Sequence, residues 1–329
     1  MNYEVELLKI RKLFFQRNYD LKNLDITKIE GGKNNLAFKV EADNKKYFAK
    51  FYLSNKHLNA ELKFLQYLQT IKIDNTPNPV FVSQKDNLAI HEFIDGKPFQ
   101  KKYLKKDVIM EAAQFLHKIN KKKIGKINIE NASESSFDLQ GHFRIIDKRI
   151  FLLKNIDHSD SLNIEVINLI KELLSYWEEV KNNILSLKSN NQFQELKKED
   201  ICISPSDFGF HNCIVGSNNK TYFIDFEYAG FDDPAKTLSD FFIQPEIEVP
   251  KKFLEEFGLI AFKDCPNKLD TIERTKILFP MFQVKWVCIV LNEFLEDKLA
   301  RRIFSHSIQD ISEHKIKQLN KAKKIFSEI

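Results

Sequence analysis

A lysine inside an apolar strand constrains the fold of this chain more than any other residue of its sequence. Lys50 lies in KYFAKFY (46–52), where aromatic and apolar residues occupy both alternating faces. Glu61 lies in the helix predicted next along the chain, and its face is otherwise formed by leucines at 58, 62, 65 and 68. Because a buried charge is costly unless it is paired, we expect the strand and the helix to pack with these two side chains in contact.

Each of the two residues also has a simpler interpretation when it is taken alone. A single lysine in a strand often protects a sheet edge from pairing with another chain. A glutamate at the border of an apolar stripe can reach solvent. An ion pair between Lys50 and Glu61 explains both positions at once, and such a pair can hold the ammonium group towards a nucleotide phosphate.

Strand signals dominate the first hundred residues. Two alternating runs flank the turn residues Asp43 and Asn44, which predicts a β-hairpin. A glycine-containing loop, EGGKNN (30–35), precedes the hairpin. The predicted elements of this part are strands at Leu36–Ala42, Lys46–Tyr52 and Asn87–Ile94, with a helix at Lys56–Gln69.

Helical periodicity dominates from Tyr103 onward. We expect helices at Asp107–Ile119 and Asn163–Leu187, a strand at Thr221–Tyr228, and a final helical region from Ile277. The chain is therefore predicted to be an α+β protein in two parts. Residues 1–94 form a small lobe with an antiparallel sheet and one main helix, and residues 95–329 form a larger, mostly helical lobe.

The composition fits this organisation and excludes several classes of protein. A chain of 329 residues, 43% of them hydrophobic, can bury a sizeable core in two domains or one large bilobal unit. Its net charge of +5 is scattered, and no basic stripe with interleaved aromatic residues indicates a nucleic-acid partner. The run Lys121–Lys123 either contacts phosphates or forms a solvated helix end.

The location of the protein is predicted from its termini and cysteines. The N-terminal stretch mixes charges of both signs into a helical pattern, so no signal peptide is expected. No uncharged apolar run reaches about 18 residues, so no membrane span is expected. The four cysteines, Cys202, Cys213, Cys265 and Cys288, show neither CxxC spacing nor zinc-ligand spacing. They indicate buried thiols, and the protein is expected to be cytoplasmic. The sequence does not indicate an oligomeric state.

Three oxygen-bearing residues form the second group of candidate functional residues. Asp207 precedes Asn212 by five residues in a predicted loop, and Asp225 follows in an apolar strand. The first two residues fit an Asx-type turn with no further role. Alternatively, Asn212 and Asp225 supply the hard oxygen ligands that Mg²⁺ accepts, which leaves Asp207 to accept the proton of an attacking hydroxyl.

These features, taken in order, resemble the aminoglycoside phosphotransferase and choline kinase family, which has a protein-kinase-like fold. The resemblance extends from about Ile26 to Asp240, and more loosely through KWVCIVLNEF (285–294). It is carried by the glycine-containing loop, the strand lysine, the helix glutamate, Asp-x4-Asn and Asp-Phe-Glu. Each motif alone is weakly specific, but five in the right order at plausible separations are specific.

The resemblance implies a role for each matching residue in phosphoryl transfer from ATP to a hydroxyl of a small metabolite. Lys50 would contact the α- and β-phosphates and Glu61 would orient it. Asp207 would be the catalytic base, and Asn212 and Asp225 would hold Mg²⁺. The remaining implied contacts are made by the backbone, which would cover the phosphates at Gly31 and Gly32 and meet adenine around Glu92 and Phe93.

The chain departs from the family pattern around the predicted base. The family usually has a histidine two residues before the catalytic aspartate and often another two residues after it. This chain has Pro205 and Gly209 at those positions, and His211 cannot be carried over as an equivalent. These changes affect the packing of the loop and bear on the substrate preference. The resemblance also implies that Asp240 corresponds to a structural aspartate of the family, at a changed spacing.

Other functions are less compatible with these motifs. A protein kinase would carry HRD where this chain has SPSDFGFHN (204–212), and glycine where it has Glu227. A non-catalytic kinase-like module that binds nucleotide or a partner would be expected to lack Lys50, Asp207 or Asp225. The sequence has no GxGxxG after a strand, no P-loop and no GxSxG.

The sequence does not identify the residues that bind the acceptor. Carboxylates after Asp225, such as Glu293, could receive an amine, and Arg274 or Lys285 could receive an acid. Most such charges belong to solvated surfaces. A sugar, an amino alcohol or an aminoglycoside-like compound is expected by analogy with the family alone.

Overall fold

The computed structural model describes residues 3–29, 35–121, 128–158, 160–187, 195–305 and 310–328. The described residues group into two compact units. The N-terminal unit comprises Met1–Pro98, Asn212–Glu227 and Arg301–Ser307, and the C-terminal unit comprises Phe99–His211, Tyr228–Ala300 and Ile308–Ile329. The boundary predicted between residues 94 and 95 stays a prediction. The N-terminal unit is not one continuous segment, because the chain returns to it at Asn212.

The helices and strands alternate in the first third of the chain, and helices dominate afterwards. In chain order, the elements are α1 (Tyr3–Phe15), β1 (Asp25–Ile29), β2 (Leu36–Ala42), β3 (Lys45–Phe51), α2 (Asn55–Thr70), β4 (Pro79–Ser83), β5 (Leu88–Glu92), β6 (Gly96–Pro98), α3 (Lys106–Asn120), α4 (Leu139–Leu153), α5 (Ser161–Ser186), β7 (Cys202–Ser204), β8 (Cys213–Gly216), β9 (Thr221–Phe223), β10 (Gly230–Asp232), α6 (Pro234–Ile243), α7 (Leu254–Ala261), α8 (Lys268–Leu291), α9 (Glu296–Ser305) and α10 (Ile311–Ser327). The predicted hairpin and the first three predicted helices are confirmed.

The N-terminal unit is built on an antiparallel five-stranded sheet with strand order β1-β2-β3-β5-β4. One face packs against Ile10 and Phe14 of α1 and is lined by Phe38, Ala49 and Ile90. Since side chains alternate along a strand, Lys50 points to the opposite face. β3 lies at the centre of the sheet, so Lys50 does not protect a sheet edge.

Helix α2 buries the leucine stripe that the sequence predicts. Ser54 caps the helix by accepting a hydrogen bond from the backbone N–H of His57. The buried positions are Leu58, Glu61, Leu62, Phe64, Leu65, Tyr67 and Leu68. Glu61 is only 2% exposed, so it does not reach solvent at the border of the stripe.

A second sheet brings residues 212–227 into the N-terminal unit. β8 pairs antiparallel with β6 on one side and with β9 on the other. The strand predicted at 221–228 was too long, because β9 ends at Phe223. Asp225 has a left-handed backbone, with φ of 66°, which interrupts an extended strand. Phe226 then packs against Phe64 of α2, with ring centroids 4.9 Å apart.

The C-terminal unit is organised around α8, which packs against α4, α5, α6 and α10. The stretch Lys268–Phe294 is long and apolar enough to cross a membrane, since an 18-residue window within it has a mean hydropathy of 1.4. However, 72% of this 18-residue window is buried inside the protein. A central helix of a folded domain passes the same test, so this is weak evidence for a membrane span.

Asp233 ties three helices of the C-terminal unit together. It caps α6 by accepting a hydrogen bond from the backbone N–H of Ala235. It also accepts hydrogen bonds from Arg274 of α8, at 2.6 Å, and from His142 of α4, at 3.0 Å. Burial alone would raise the pKa of Asp233, but the Arg274 guanidinium and the His142 hydrogen bond hold that pKa well below its usual range.

We expect Asp233→Asn to lower the free energy of unfolding at pH 7 by about 3–5 kcal/mol, because it leaves the Arg274 guanidinium buried without a counter-charge. Urea unfolding measures the difference. A carboxylate whose folded pKa is depressed contributes its stability above the pKa of the unfolded chain, near 3.9. The difference should therefore shrink as pH falls below about 4. Asp264→Asn, at a half-exposed side chain, is the control, and equal stability of the two variants would contradict the assignment.

Candidate functional site

The Lys50 ammonium is enclosed by carboxylates of the N-terminal unit. Its Nζ lies 2.7 Å from Glu61 Oε2 and 2.6 Å from Asp225 Oδ1. Glu227 Oε2 lies 3.8 Å from the same nitrogen. Lys50 is 5% exposed and Glu227 2%, whereas the Asp225 side chain is 37% exposed. The structure therefore brings together the predicted strand lysine and helix glutamate and adds two acidic groups from residues 225–227.

Electrostatics fixes the charge of this cluster. Burial by itself would lower the pKa of Lys50, but the carboxylates of Asp225 and Glu61 raise that pKa well above its usual value. Burial likewise works to raise the pKa of Glu61, and the Lys50 charge reverses the direction and lowers it. For Glu227 burial prevails and raises the pKa to about 7. Lys50 thus stays a cation that is held in place by at least two anions.

Tyr52 and His91 form a further layer behind Glu61. The Tyr52 hydroxyl hydrogen-bonds to Glu61, and it lies 3.1 Å from His91 Nε2. Since a carboxylate only accepts, the Tyr52 O–H donates to Glu61 and the His91 Nε2–H donates to the Tyr52 oxygen. Burial lowers the pKa of His91 to about 4, so the imidazole is neutral. Sequence reasoning missed this layer, although a histidine in the apolar strand LAIHE was a signal.

Asn35 links the start of β2 to Glu227. Its Nδ2 donates to Glu227 Oε2 at 2.7 Å, and both residues are buried. Asn35 is the last residue of the glycine-containing loop. Gly31 and Gly32, the predicted phosphate-covering residues, lie outside the described residues. Glu227 belongs to the Asp-Phe-Glu motif, but no sequence pattern indicates its contact with Asn35.

Asn212 and Asp225 flank one end of the β8–β9 ladder. Cys213 pairs with Phe223, and the backbone N–H of Ile224 donates to the Asn212 carbonyl at 3.0 Å. The two candidate metal ligands therefore lie just beyond the paired strands, Asn212 one residue before β8 and Asp225 two residues after β9. Only tertiary pairing creates this arrangement, because the residues are separated by a turn.

The donor set at this position fits Mg²⁺. One carboxylate and one amide supply hard oxygen ligands, and Mg²⁺ is usually held by one or two carboxylates together with waters and phosphate oxygens. Among the described residues, no group of three or more His, Cys, Asp or Glu side chains is arranged to hold a metal ion. This excludes, for that part of the chain, a site built entirely from such protein ligands.

Glu92 and Phe93, the predicted adenine contacts, lie at the end of β5. The Glu92 N–H donates to the Asn78 carbonyl at 2.9 Å, and the Phe93 N–H donates to the Lys46 carbonyl at 3.3 Å. Both amides are thus engaged in backbone pairing. An adenine ring at this segment would have to be recognised by other backbone groups, and the role of the two residues stays a prediction.

Asp207 belongs to the C-terminal unit, in the loop after β7. Its Oδ1 lies 3.2 Å from His211 Nε2, and its side chain is 37% exposed. Ser206 has a left-handed backbone, with φ of 67°. The loop is anchored by the buried rings of Phe208 and Phe210, which stack on Phe115 and Phe99. Two buried aromatic rings thus anchor the part of the loop that directly follows the predicted base.

Two basic residues suggested for acidic acceptors are already paired inside the C-terminal unit. Arg274 binds Asp233, and Lys285 Nζ lies 2.6 Å from Asp240 Oδ1. The Trp286 indole N–H also donates to Asp240, at 2.8 Å. These groups hold helices together, so an acceptor-binding role for Arg274 or Lys285 has no support here.

Removal of the Lys50 charge should destabilise the N-terminal unit. We expect Lys50→Met to cost about 3–5 kcal/mol of the free energy of unfolding at pH 8, because Glu61 is left buried beside other carboxylates. Lys50→Met combined with Glu61→Leu should recover part of that loss, since the buried anion is also removed. Urea denaturation of the two variants tests this. A single variant as stable as the wild type would contradict the ion-pair assignment.

Comparisons with known proteins identify the family and the fold of the chain. The family described as APH, phosphotransferase enzyme family, matches residues 25–257. No curated protein matches the sequence. Among solved structures, the chain is similar to an ethanolamine kinase of Plasmodium vivax, with 16% identity, a TM-score of 0.60, and coverage of 100% of this chain and 92% of the other.

Two further structures share the fold at similarly low identity. A choline kinase of Streptococcus pneumoniae has 17% identity, a TM-score of 0.60, and coverage of 98% of this chain and 100% of the other. An ADP-bound aminoglycoside phosphotransferase, APH(2'')-Ib, has 18% identity, a TM-score of 0.56, and coverage of 92% and 96%. The fold class predicted from the sequence, a protein-kinase-like α+β fold, is confirmed. Since the family match spans more than half of the chain, the protein belongs to the APH phosphotransferase enzyme family and is a small-molecule phosphotransferase.

Proposed function

We propose that this protein transfers the γ-phosphoryl group of Mg²⁺-bound ATP to a hydroxyl of a small metabolite. The observation that carries the proposal is the Lys50 ammonium, buried and held by Glu61 and Asp225. Phosphoryl transfer needs little covalent help from the protein and depends on positioned charge and in-line placement of the hydroxyl. A fixed cation next to an aspartate and an asparagine supplies groups of the required kind.

Lys50 would bind the α- and β-phosphate oxygens of the nucleotide. Its raised pKa keeps it charged throughout the pH range of enzyme activity. Glu61, which is further oriented by Tyr52, restricts the ammonium to one position. The cost of ordering a flexible lysine side chain is then met during folding rather than during substrate binding.

Asn212 and Asp225 would hold the metal ion through their side-chain oxygens. When bound, Mg²⁺ neutralises charge on the β- and γ-phosphate oxygens and helps to orient them. Asp225 has a left-handed backbone just after β9. Asp225 also pairs with Lys50, so the metal ligand and the phosphate-binding cation are positioned by one contact.

Asp207 would act as the general base. The acceptor hydroxyl oxygen forms a bond to the γ-phosphorus as the bond from that phosphorus to the β-phosphate oxygen breaks. ADP carries away the electron pair, and the hydroxyl proton passes to the Asp207 carboxylate. Its partial exposure lets it reach an acceptor from solvent.

An amino alcohol or a sugar is the acceptor class that we propose. The solved structures with the same fold include an ethanolamine kinase, a choline kinase and an aminoglycoside phosphotransferase. Ethanolamine and choline each carry a hydroxyl group near a nitrogen centre, and aminoglycosides carry hydroxyl groups on amino-sugar rings. A panel of amino alcohols, sugars and aminoglycosides, assayed for acceptor-dependent ADP release, tests the proposal. Release by no member of a broad panel would favour a non-catalytic nucleotide-binding function.

Substitution of the base should separate chemistry from nucleotide binding. We expect Asp207→Ala to lower kcat by about 10²–10⁴-fold, which is the range that general-base catalysis provides. The Kd for ATP should change by less than about threefold. Steady-state kinetics and calorimetric nucleotide titration measure the two quantities. Asp264→Ala, at a half-exposed position of the same unit, is the matched control, and full activity of Asp207→Ala would exclude the base assignment.

Substitution of a metal ligand should affect both binding and rate. We expect Asp225→Ala to weaken binding of Mg·ATP and to raise the Mg²⁺ concentration that supports half-maximal activity by about tenfold or more. Asn212→Ala should act in the same direction, and EDTA should abolish transfer by the wild type. Nucleotide titrations with and without Mg²⁺ measure the effect. An Asp225→Ala variant with an unchanged Mg²⁺ requirement would contradict this role.

A further inference from the structure

The loop that carries Asp207 contains a histidine that the proposed mechanism does not use. His211 Nε2 lies 3.2 Å from Asp207 Oδ1, and the His211 side chain is only 11% exposed. An ionised carboxylate has no proton to donate. The hydrogen bond therefore requires the proton of the neutral imidazole to be on Nε2, which leaves Nδ1 as a bare lone pair.

The environment of Nδ1 agrees with this assignment. The Nδ1 atom is buried and has no hydrogen-bond partner among the described residues. A buried N–H without an acceptor is costly, and a ring with its proton on Nδ1 would create one while also losing the bond to Asp207. Nε2 is therefore the preferred site of the proton.

Gly209 makes room for this imidazole. A Cβ atom at position 209 would lie 2.8 Å from His211 Nδ1 and 3.0 Å from His211 Cε1. Contacts under 3.0 Å force a displacement, so a side chain at 209 would displace the ring from the position in which it contacts Asp207. Absence of a side chain at 209 and the presence of histidine at 211 are thus parts of one arrangement.

We propose that His211 is a positioning residue that orients the catalytic carboxylate of Asp207, and that the lack of a side chain at Gly209 leaves room for the His211 ring. This inference rests on the proposed function of Asp207. Donation from Nε2 to Oδ1, at 3.2 Å, fixes the position of that carboxylate oxygen in the loop. Reaction rates depend steeply on such alignment.

A double-mutant cycle on positions 209 and 211 tests the arrangement. We expect His211→Ala to lower kcat by about 10- to 100-fold, with the KM for nucleotide changed by less than about twofold. Gly209→Ala should lower kcat in the same way by displacing the ring. The double variant should be no slower than His211→Ala alone, because the ring that Gly209→Ala displaces is already gone.

Two further variants separate positioning from structural support. His211→Gln places an amide N–H near the Nε2 position and should restore most of the kcat lost in His211→Ala. His158→Ala, at an exposed histidine of the same unit, should be silent. Thermal unfolding of each variant shows whether it is folded. Wild-type kcat in His211→Ala, or additive losses in the double variant, would overturn the proposal while leaving the role of Asp207 intact.

A measurement without turnover tests the hydrogen bond directly. Imidazole ¹⁵N spectra of the full-length protein near neutral pH, assigned by loss of the signal in His211→Ala, report which ring nitrogen carries the proton. We expect the Nε2–H tautomer in the wild type and a change of the His211 signals in Asp207→Ala. An Nδ1–H tautomer, or signals insensitive to Asp207→Ala, would overturn the proposal. Failure of the proposed function would instead appear as a normal spectrum with no acceptor-dependent transfer.

Discussion

The ion pair between Lys50 and Glu61 is the contact on which the N-terminal unit depends. A lysine at the centre of a five-stranded sheet and a glutamate in a leucine stripe are both unfavourable alone, because each would lose its hydration without compensation. Together they fix the approach of α2 to the sheet, and Tyr52 and His91 extend the same network behind Glu61. Specific packing and a fixed, buried ammonium group thus result from one contact.

The second constraint is the return of the chain at Asn212. The β8–β9 hairpin joins β6 in the N-terminal unit, and its end presents Asp225 to Lys50 and Glu227 to Asn35. β9 ends at Phe223, and the left-handed backbone of Asp225 prevents an extended strand from continuing through that residue. Residues close to 200 positions apart in the sequence therefore belong to one electrostatic cluster, and removal of one would alter the others.

The sequence was informative where a charge interrupts an apolar pattern. Lys50, Glu61 and Asp225 could be identified because a carboxylate or ammonium group in such a place needs a partner, and the structure supplies these partners within the N-terminal unit. Sequence reasoning failed where the signal was tertiary. Asn35 is the last residue of a polar loop, a place where asparagine is common. His211 lies in a loop whose conformation decides whether its ring reaches Asp207. The strand predicted at 221–228 was too long because a hydrophobic pattern carries no information about the φ of Asp225.

The sequence by itself determined the fold class, the order of the elements and the types of groups available for chemistry, since periodicity and the cost of burying charge act locally. Only the tertiary structure decided which carboxylates surround Lys50, that its strand is central rather than at an edge, and that Arg274 and Lys285 serve the core of the C-terminal unit. Those outcomes depend on distances between segments far apart in the chain. No local pattern encodes such distances, because they are set by the packing of all elements of a unit at once.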